Sequence, residues 1–124
     1  MKVEHYETVT QQDVEMEGAE GCQVRWLMGP ASGAPNFAMR QFEIAPGGRT
    51  PRHHHPYEHE VFILEGTGVV IEGDTPRPIH TGDVVFIEPD DVHQFRNTGT
   101  HALKFLCLIP NSATSQQVRV VPEV

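Results

Sequence analysis

Short runs in which apolar and polar residues alternate recur along most of the chain, separated by turn residues. A period of two is the mark of a half-buried strand. Cys22 to Met28 alternates in this way. Asn36 to Ala45 predicts a second strand, with Phe42 and Ile44 on one face and Phe37 and Met39 on the other. His59 to Leu64 places His59, Val61 and Ile63 on one face and Glu60, Phe62 and Leu64 on the other. It ends at Glu65-Gly66-Thr67-Gly68, a hairpin signal, and Val69-Val70-Ile71 pairs back. Arg77 to His80, Val84 to Ile87, His93 to Arg96 and Ala102 to Ile109 complete the series. Val118 to Val121 adds a last edge strand or pairs with a second subunit. Residues 1 to 20 read as a polar, acidic arm holding a short strand. Gly29 to Pro35 and Pro110 to Gln117 read as loops, and Pro46-Gly47-Gly48 as a turn.

Strands this short and this regularly spaced predict an all-β antiparallel sandwich or barrel. Periodicity leaves an immunoglobulin-like sandwich and a jelly roll both open. Glu60 to Leu64, Val84 to Ile87 and Leu103 to Ile109 carry large apolar groups on both faces. Such strands are usually buried on both. One face fills the barrel, and the other meets a second sheet, the terminal arms or a second copy of the chain. A homodimer is the expected answer.

The length of 124 residues suits a single domain spanning 1–124 with one core. A net charge of -8 argues against nucleic acid and against anionic membrane surfaces as partners, since both demand clustered positive charge. The N-terminus, Met1 to Glu7, lacks the apolar core of a secretion signal, and no apolar run is long enough to span a bilayer. A cytoplasmic location is expected. Of the two cysteines, Cys107 lies in the apolar run Phe105 to Ile109 and reads as a buried free thiol.

The chemistry of the chain concentrates in His53-His54-His55-Pro56-Tyr57-Glu58-His59. Imidazole is the commonest metal ligand among side chains. On an extended chain His53 and His55 point to one side and His54 to the other. Pro56 breaks the strand and favours a turn, which brings His59 back toward the same point. We read His53, His55 and His59 as three ligands converging on one metal. Glu58 and Glu60 compete for the third place, but their parity puts them opposite His59. His93 opens a later strand after a tight loop and is a fourth candidate. His5, His80 and His101 fall at turns or element ends and read as surface residues.

These two stretches together resemble the paired motifs of the cupin superfamily. The first family motif has glycine, two histidines, a glutamate and a closing glycine at set intervals. Gly47, His53, His55 and Gly66 stand at its positions. The second has glycine, proline, glycine, histidine and asparagine, and Gly82, His93 and Asn97 fall in register. The resemblance covers residues 40 to 108. Three positions depart from it: His59 replaces the glutamate ligand, Glu88 the proline and Asp90 the loop glycine. The similarity is nearest to small single-domain cupins with four histidine ligands, among them manganese proteins named by analogy with oxalate decarboxylase.

The resemblance implies a double-stranded β-helix, or jelly-roll, cupin barrel. It also implies a dimer and one divalent transition metal per chain held by His53, His55, His59 and His93. Manganese or iron is favoured over zinc or nickel. Four neutral ligands leave one or two positions open on a five- or six-coordinate ion. The expected function is a metal-dependent dioxygenase, decarboxylase or isomerase acting on a small oxygen-rich molecule such as an organic acid or enediol. A non-catalytic module that binds metal and a small ligand is the alternative. Arg40, Arg49 and Arg52 are the nearest cationic candidates, Glu58 the nearest carboxyl, and Tyr57 a candidate to orient a ligand. No spacing assigns a catalytic residue.

Overall fold

The computed structural model describes residues 1–123. In chain order the strands are β1 (Gln11–Asp13), β2 (Glu20–Met28), β3 (Phe37–Arg49), β4 (His53–His54), β5 (His59–Glu65) and β6 (Thr67–Glu72). They continue as β7 (Thr75–His80), β8 (Val84–Ile87), β9 (His93–Arg96), β10 (Leu103–Pro110) and β11 (Arg119–Val120). The molecule is an all-β jelly-roll barrel. One group of strands runs β1-β2-β3-β10-β5-β8, and the other β7-β6-β9-β4-β11, with every pairing antiparallel.

β3 joins the two groups. Its first part lies between β2 and β10, with Ile44 opposite both Cys22 and Leu103. Its last residue, Arg49, has crossed to pair with Arg96 of β9. The Pro46-Gly47-Gly48 turn expected from composition is therefore a corner inside one strand. Proline and glycine here bend the chain without ending its pairing. Gly48 makes the corner passable: a Cβ there would sit 2.6 Å from the Glu20 carbonyl oxygen. Asn97 staples the same corner. Its buried side-chain amide donates to the carbonyls of Ile44 and His101, both at 2.8 Å, and its Oδ1 accepts from Gly99 N at 2.9 Å.

The core draws on both groups. Cys22, Ile44, Val61, Ile63, Leu103 and Phe105 come from the first, and Val70, Ile79 and Phe95 from the second. Phe105 stacks on Phe95 across the barrel with ring centroids 4.5 Å apart, and on Phe42 at 5.3 Å. Both cysteines are free and buried. β7 tolerates Pro76 and Pro78 because, among the described residues, it pairs only with β6. β11 pairs with β4 of its own chain, so the C-terminal segment closes the barrel it belongs to.

The outer face of β5 and β8 stays uncovered. Phe62, Leu64, Val84 and Phe86 are 44%, 40%, 75% and 59% exposed. Among the described residues no helix is long and apolar enough to cross a membrane.

Candidate metal centre

His53, His55, His59 and His93 meet at the end of the barrel, each offering a ring nitrogen, with all four atoms within 4.8 Å of one another. Local chain geometry brings them there. His53 on β4 is the register partner of His93 on β9. Pro56 then interrupts the strand, and β5 restarts at His59 with its inward parity. His55, in the break, is held by its carbonyl, which accepts from Asp90 N at 2.8 Å. Asp90 adopts φ 71, the left-handed conformation that glycine would take at this motif position. His54 projects from the other side of β4, opposite Arg119, and is outside the cluster. Glu58 and Glu60, the competing candidates, are exposed and also outside it. His5, His80 and His101 are exposed.

The far side of each ring decides which nitrogen faces inward. His53 Nδ1 donates to the Pro51 carbonyl at 2.7 Å, His55 Nδ1 to Tyr57 O at 2.6 Å and His93 Nδ1 to Asp91 O at 2.8 Å. A carbonyl only accepts, so these three protons sit on Nδ1 and the Nε2 lone pairs are free. His59 differs: its Nδ1 lies 3.1 Å from Cys107 Sγ. Cys107 Sγ also accepts from Arg40 Nη2 at 3.3 Å. The Tyr57 ring stacks on His55 at 3.8 Å.

Burial keeps these imidazoles neutral. It pushes His55 down to about 4 and His93 to about 3, against the opposing pull of the Tyr57 and Asp91 carbonyls. Burial also lowers His53, and holds His59 well below the usual histidine range, with the Arg40 guanidinium adding to the effect. The Cys107 thiol is pushed up by burial and pulled back by Arg40.

The set suits a metal ion on two observations. His93 Nε2 is buried without any hydrogen-bond partner among the described residues, and a buried lone pair left empty is costly. His55 Nε2 and His59 Nε2 face each other at 2.9 Å. An ion taking imidazole nitrogens at about 2.0–2.1 Å spans ligands up to about 4 Å apart, so a small inward closure of the widest pair suffices. The neutral nitrogen set accepts zinc, copper, nickel, iron or manganese.

His53, His59 and His93 form the floor of a cavity of about 160 Å³. Its walls are mostly apolar: Phe42, Phe95, Phe105 and Ile109 from the barrel, and Trp26 (46% exposed) at its rim. The terminal segments contribute as well, through Val14, Met16, Ala113 and Val118. Of the three arginines singled out from sequence, only Arg40 lines this cavity. Arg49 is engaged with Gly18 O and the carboxylates of Glu20 and Glu123, and Arg52 with the carbonyls of Gly73 and Pro122. A second depression of about 580 Å³, against β7 and β8, touches His93 but none of the other three histidines.

The sequence matches the Cupin domain family over residues 40–109. The chain belongs to the cupin family. Protein SchB of Streptomyces halstedii is 38% identical over 89 residues, which cover 70% of this cupin and 64% of SchB. The chain thus spans less than two thirds of that curated relative. The polyketide cyclase RemF from Streptomyces resistomycificus superposes with a TM-score of 0.91 at 30% identity, covering 100% of this chain and 87% of RemF. A predicted oxalate decarboxylase from Thermotoga maritima superposes with a TM-score of 0.77 at 26% identity, covering 88% of this chain and 98% of its own.

Sequence reasoning named Arg40 beside Arg49 and Arg52 without choosing among them, and missed Cys107 as the partner of His59. The signal was present. Arg40 shares the parity of Phe42 and Ile44, and Cys107 that of Phe105 and Ile109, so both face inward.

Proposed function

We propose that this cupin is a metal-dependent enzyme whose ion is held by His53, His55, His59 and His93. Its substrate has an apolar, ring-sized body and carries oxygens that face the ion. One observation carries this reading: three of the four clustered histidines, His53, His59 and His93, line an apolar cavity. A cavity of about 160 Å³ accommodates a body the size of one aromatic ring, since an engineered cavity of about 150 Å³ takes up benzene. Of the organic acids expected from the sequence alone, the small hydrophilic ones leave these apolar walls unfilled, and those with a ring-sized apolar body match them. An apolar molecule bearing a few enolisable carbonyl oxygens fits it well. Likeness to the polyketide cyclase RemF along the whole chain supports a redox-neutral ring closure or isomerisation.

When bound, the ion supplies Lewis-acid polarisation of a carbonyl oxygen. The protein does the rest. Three backbone carbonyls and Cys107 hold the imidazoles with their lone pairs inward. Phe42, Phe95 and Phe105 exclude water and align a flat body. Aldol ring closure of a polyketone breaks one C–H bond and the π bond of one carbonyl and makes one C–C and one O–H bond, so it needs no outside oxidant. Manganese or iron is the preferred ion, with zinc and nickel behind.

A non-catalytic binding module is the second reading, favoured by the lack of any aspartate or glutamate in the cavity lining. The test is a screen of metal-loaded protein against aromatic and linear polyketones, read by mass spectrometry for isomeric or dehydrated products. Turnover that disappears in His93→Ala supports the enzyme. Tight binding without product supports the module.

We further infer that two copies pair through the exposed apolar face of β5 and β8.

A further inference from the structure

Arg40 sits in an unusual position for a cation. It lines an apolar cavity, with its guanidinium 4.9 Å over the Phe42 ring and 5.4 Å over Trp26. Its Nη2 rests on the Cys107 sulfur, and its Nε is buried with no partner. No carboxylate pairs with it among the described residues, and none lines the cavity. A half-buried guanidinium with one N–H fully out of solvent ordinarily has an anionic partner. The four histidines bring no negative charge of their own. With a divalent ion in place, two positive charges from the ion and one from Arg40 face the same small space. Cys107 separates the two centres by a single atom, touching both Arg40 Nη2 and His59 Nδ1.

We propose that Arg40 is a second anchor for the ligand and that this ligand is an anion. Its charge is shared over two oxygens, one directed to the histidine centre and one to the Arg40 guanidinium, while its flat body lies against Phe42, Phe95 and Phe105. Enolates of β-dicarbonyls, phenolates and aryl carboxylates have this chemistry. The aromatic faces under Arg40 fix the plane of its fork and leave its remaining N–H donors for an oxygen pair. The proposal rests on the reading of the cavity as a ligand site beside a bound metal.

The experiment compares salicylate with salicylamide, two single-ring chelators of nearly the same shape that differ in charge. Binding to the metal-loaded full chain is followed by fluorescence of Trp26, the one tryptophan in the sequence, and by calorimetry. Wild-type protein should prefer salicylate by about 10- to 100-fold, the range of a charge-assisted hydrogen-bond pair. Arg40→Met, which keeps the stem and removes the charge, should erase that preference at unchanged metal content. Arg40→Lys should retain part of it. Arg40→Met is expected to fold, since removing an unpaired, half-buried charge relieves part of its desolvation cost. Its melting temperature without ligand should equal or exceed that of wild type, and salicylate should raise it less.

If Arg40→Met keeps the preference while His93→Ala abolishes binding of both probes, the cavity reading stands and the role of Arg40 is overturned. If neither probe binds metal-loaded wild type, the cavity reading falls and this proposal falls with it.

Discussion

His55 Nε2 and His59 Nε2 point at each other across 2.9 Å. The Tyr57 carbonyl holds the His55 proton on Nδ1, so His55 offers a lone pair. His59 has two choices. With its proton on Nε2 it donates to His55; with the proton on Nδ1 it donates to Cys107 Sγ and frees its own lone pair. A cation between the rings selects the second. His59 is therefore the one member of the four whose tautomer a side chain governs, and the other three are locked by main chain.

That asymmetry makes Cys107 the testable support of the site. Cys107→Ala removes the partner that His59 Nδ1 has among the described residues and should weaken metal affinity by about 10- to 100-fold, as loss of a ligand's outer hydrogen bond typically does. Competition with a chromophoric chelator measures it. Cys107→Ser should recover most of the loss, because a hydroxyl oxygen accepts the same proton.

The neighbouring histidines separate a built site from a loose cluster. His93→Ala should abolish stoichiometric metal binding measured by elemental analysis. His54→Ala, on the opposite side of β4, should leave it at one ion per chain. Equal loss in both would mean the tract binds metal without the convergence described above.

Protonation should progressively destabilise the metal-stripped protein as pH falls below 6.5. His55 and His93 titrate at 6.5 in the unfolded chain but at about 4 and about 3 when folded. From pH 6.5 downward the unfolded chain takes up protons that the folded chain refuses. Stability is complete above 6.5 and is lost as pH falls toward those folded values. Thermal melts across this window should fall steadily, and metal-loaded protein should hold its melting temperature to lower pH.

Asp90 carries a strained backbone at φ 71 where the motif has glycine. Its N–H still serves the His55 carbonyl. Asp90→Gly keeps that hydrogen bond and removes the steric conflict, and should stabilise the fold by about 0.5–1 kcal/mol. Urea unfolding is the measurement. A loss of stability would show that the carboxylate itself makes the loop.

The outer face of β5 and β8 should mediate pairing of two chains. Val84→Lys combined with Phe86→Glu places charge where apolar contact is expected and should shift the mass seen by light scattering from two chains to one. Metal content should not change. An unaltered mass would remove this face from consideration.

Local spacing was enough to place most strands, the inward parity of His59, Val61 and Ile63, and His53, His55 and His59 as one group, while His93 joined them through the resemblance to the cupin motifs. Each placement by spacing depends on backbone periodicity over a few residues, which a linear sequence carries. The exceptions have physical causes. Pro46-Gly47-Gly48 has turn composition, yet pairing on both sides carries β3 through it as a corner. β11 had a free choice of partner until β4 was in place. Which arginine enters the cavity, which sulfur backs His59, and the apolar lining beside the metal centre all involve residues far apart in sequence. Arg40 and Cys107 meet only because β3 and β10 pair in one register. Register between distant strands is a property of the whole core, so only the folded chain decides it.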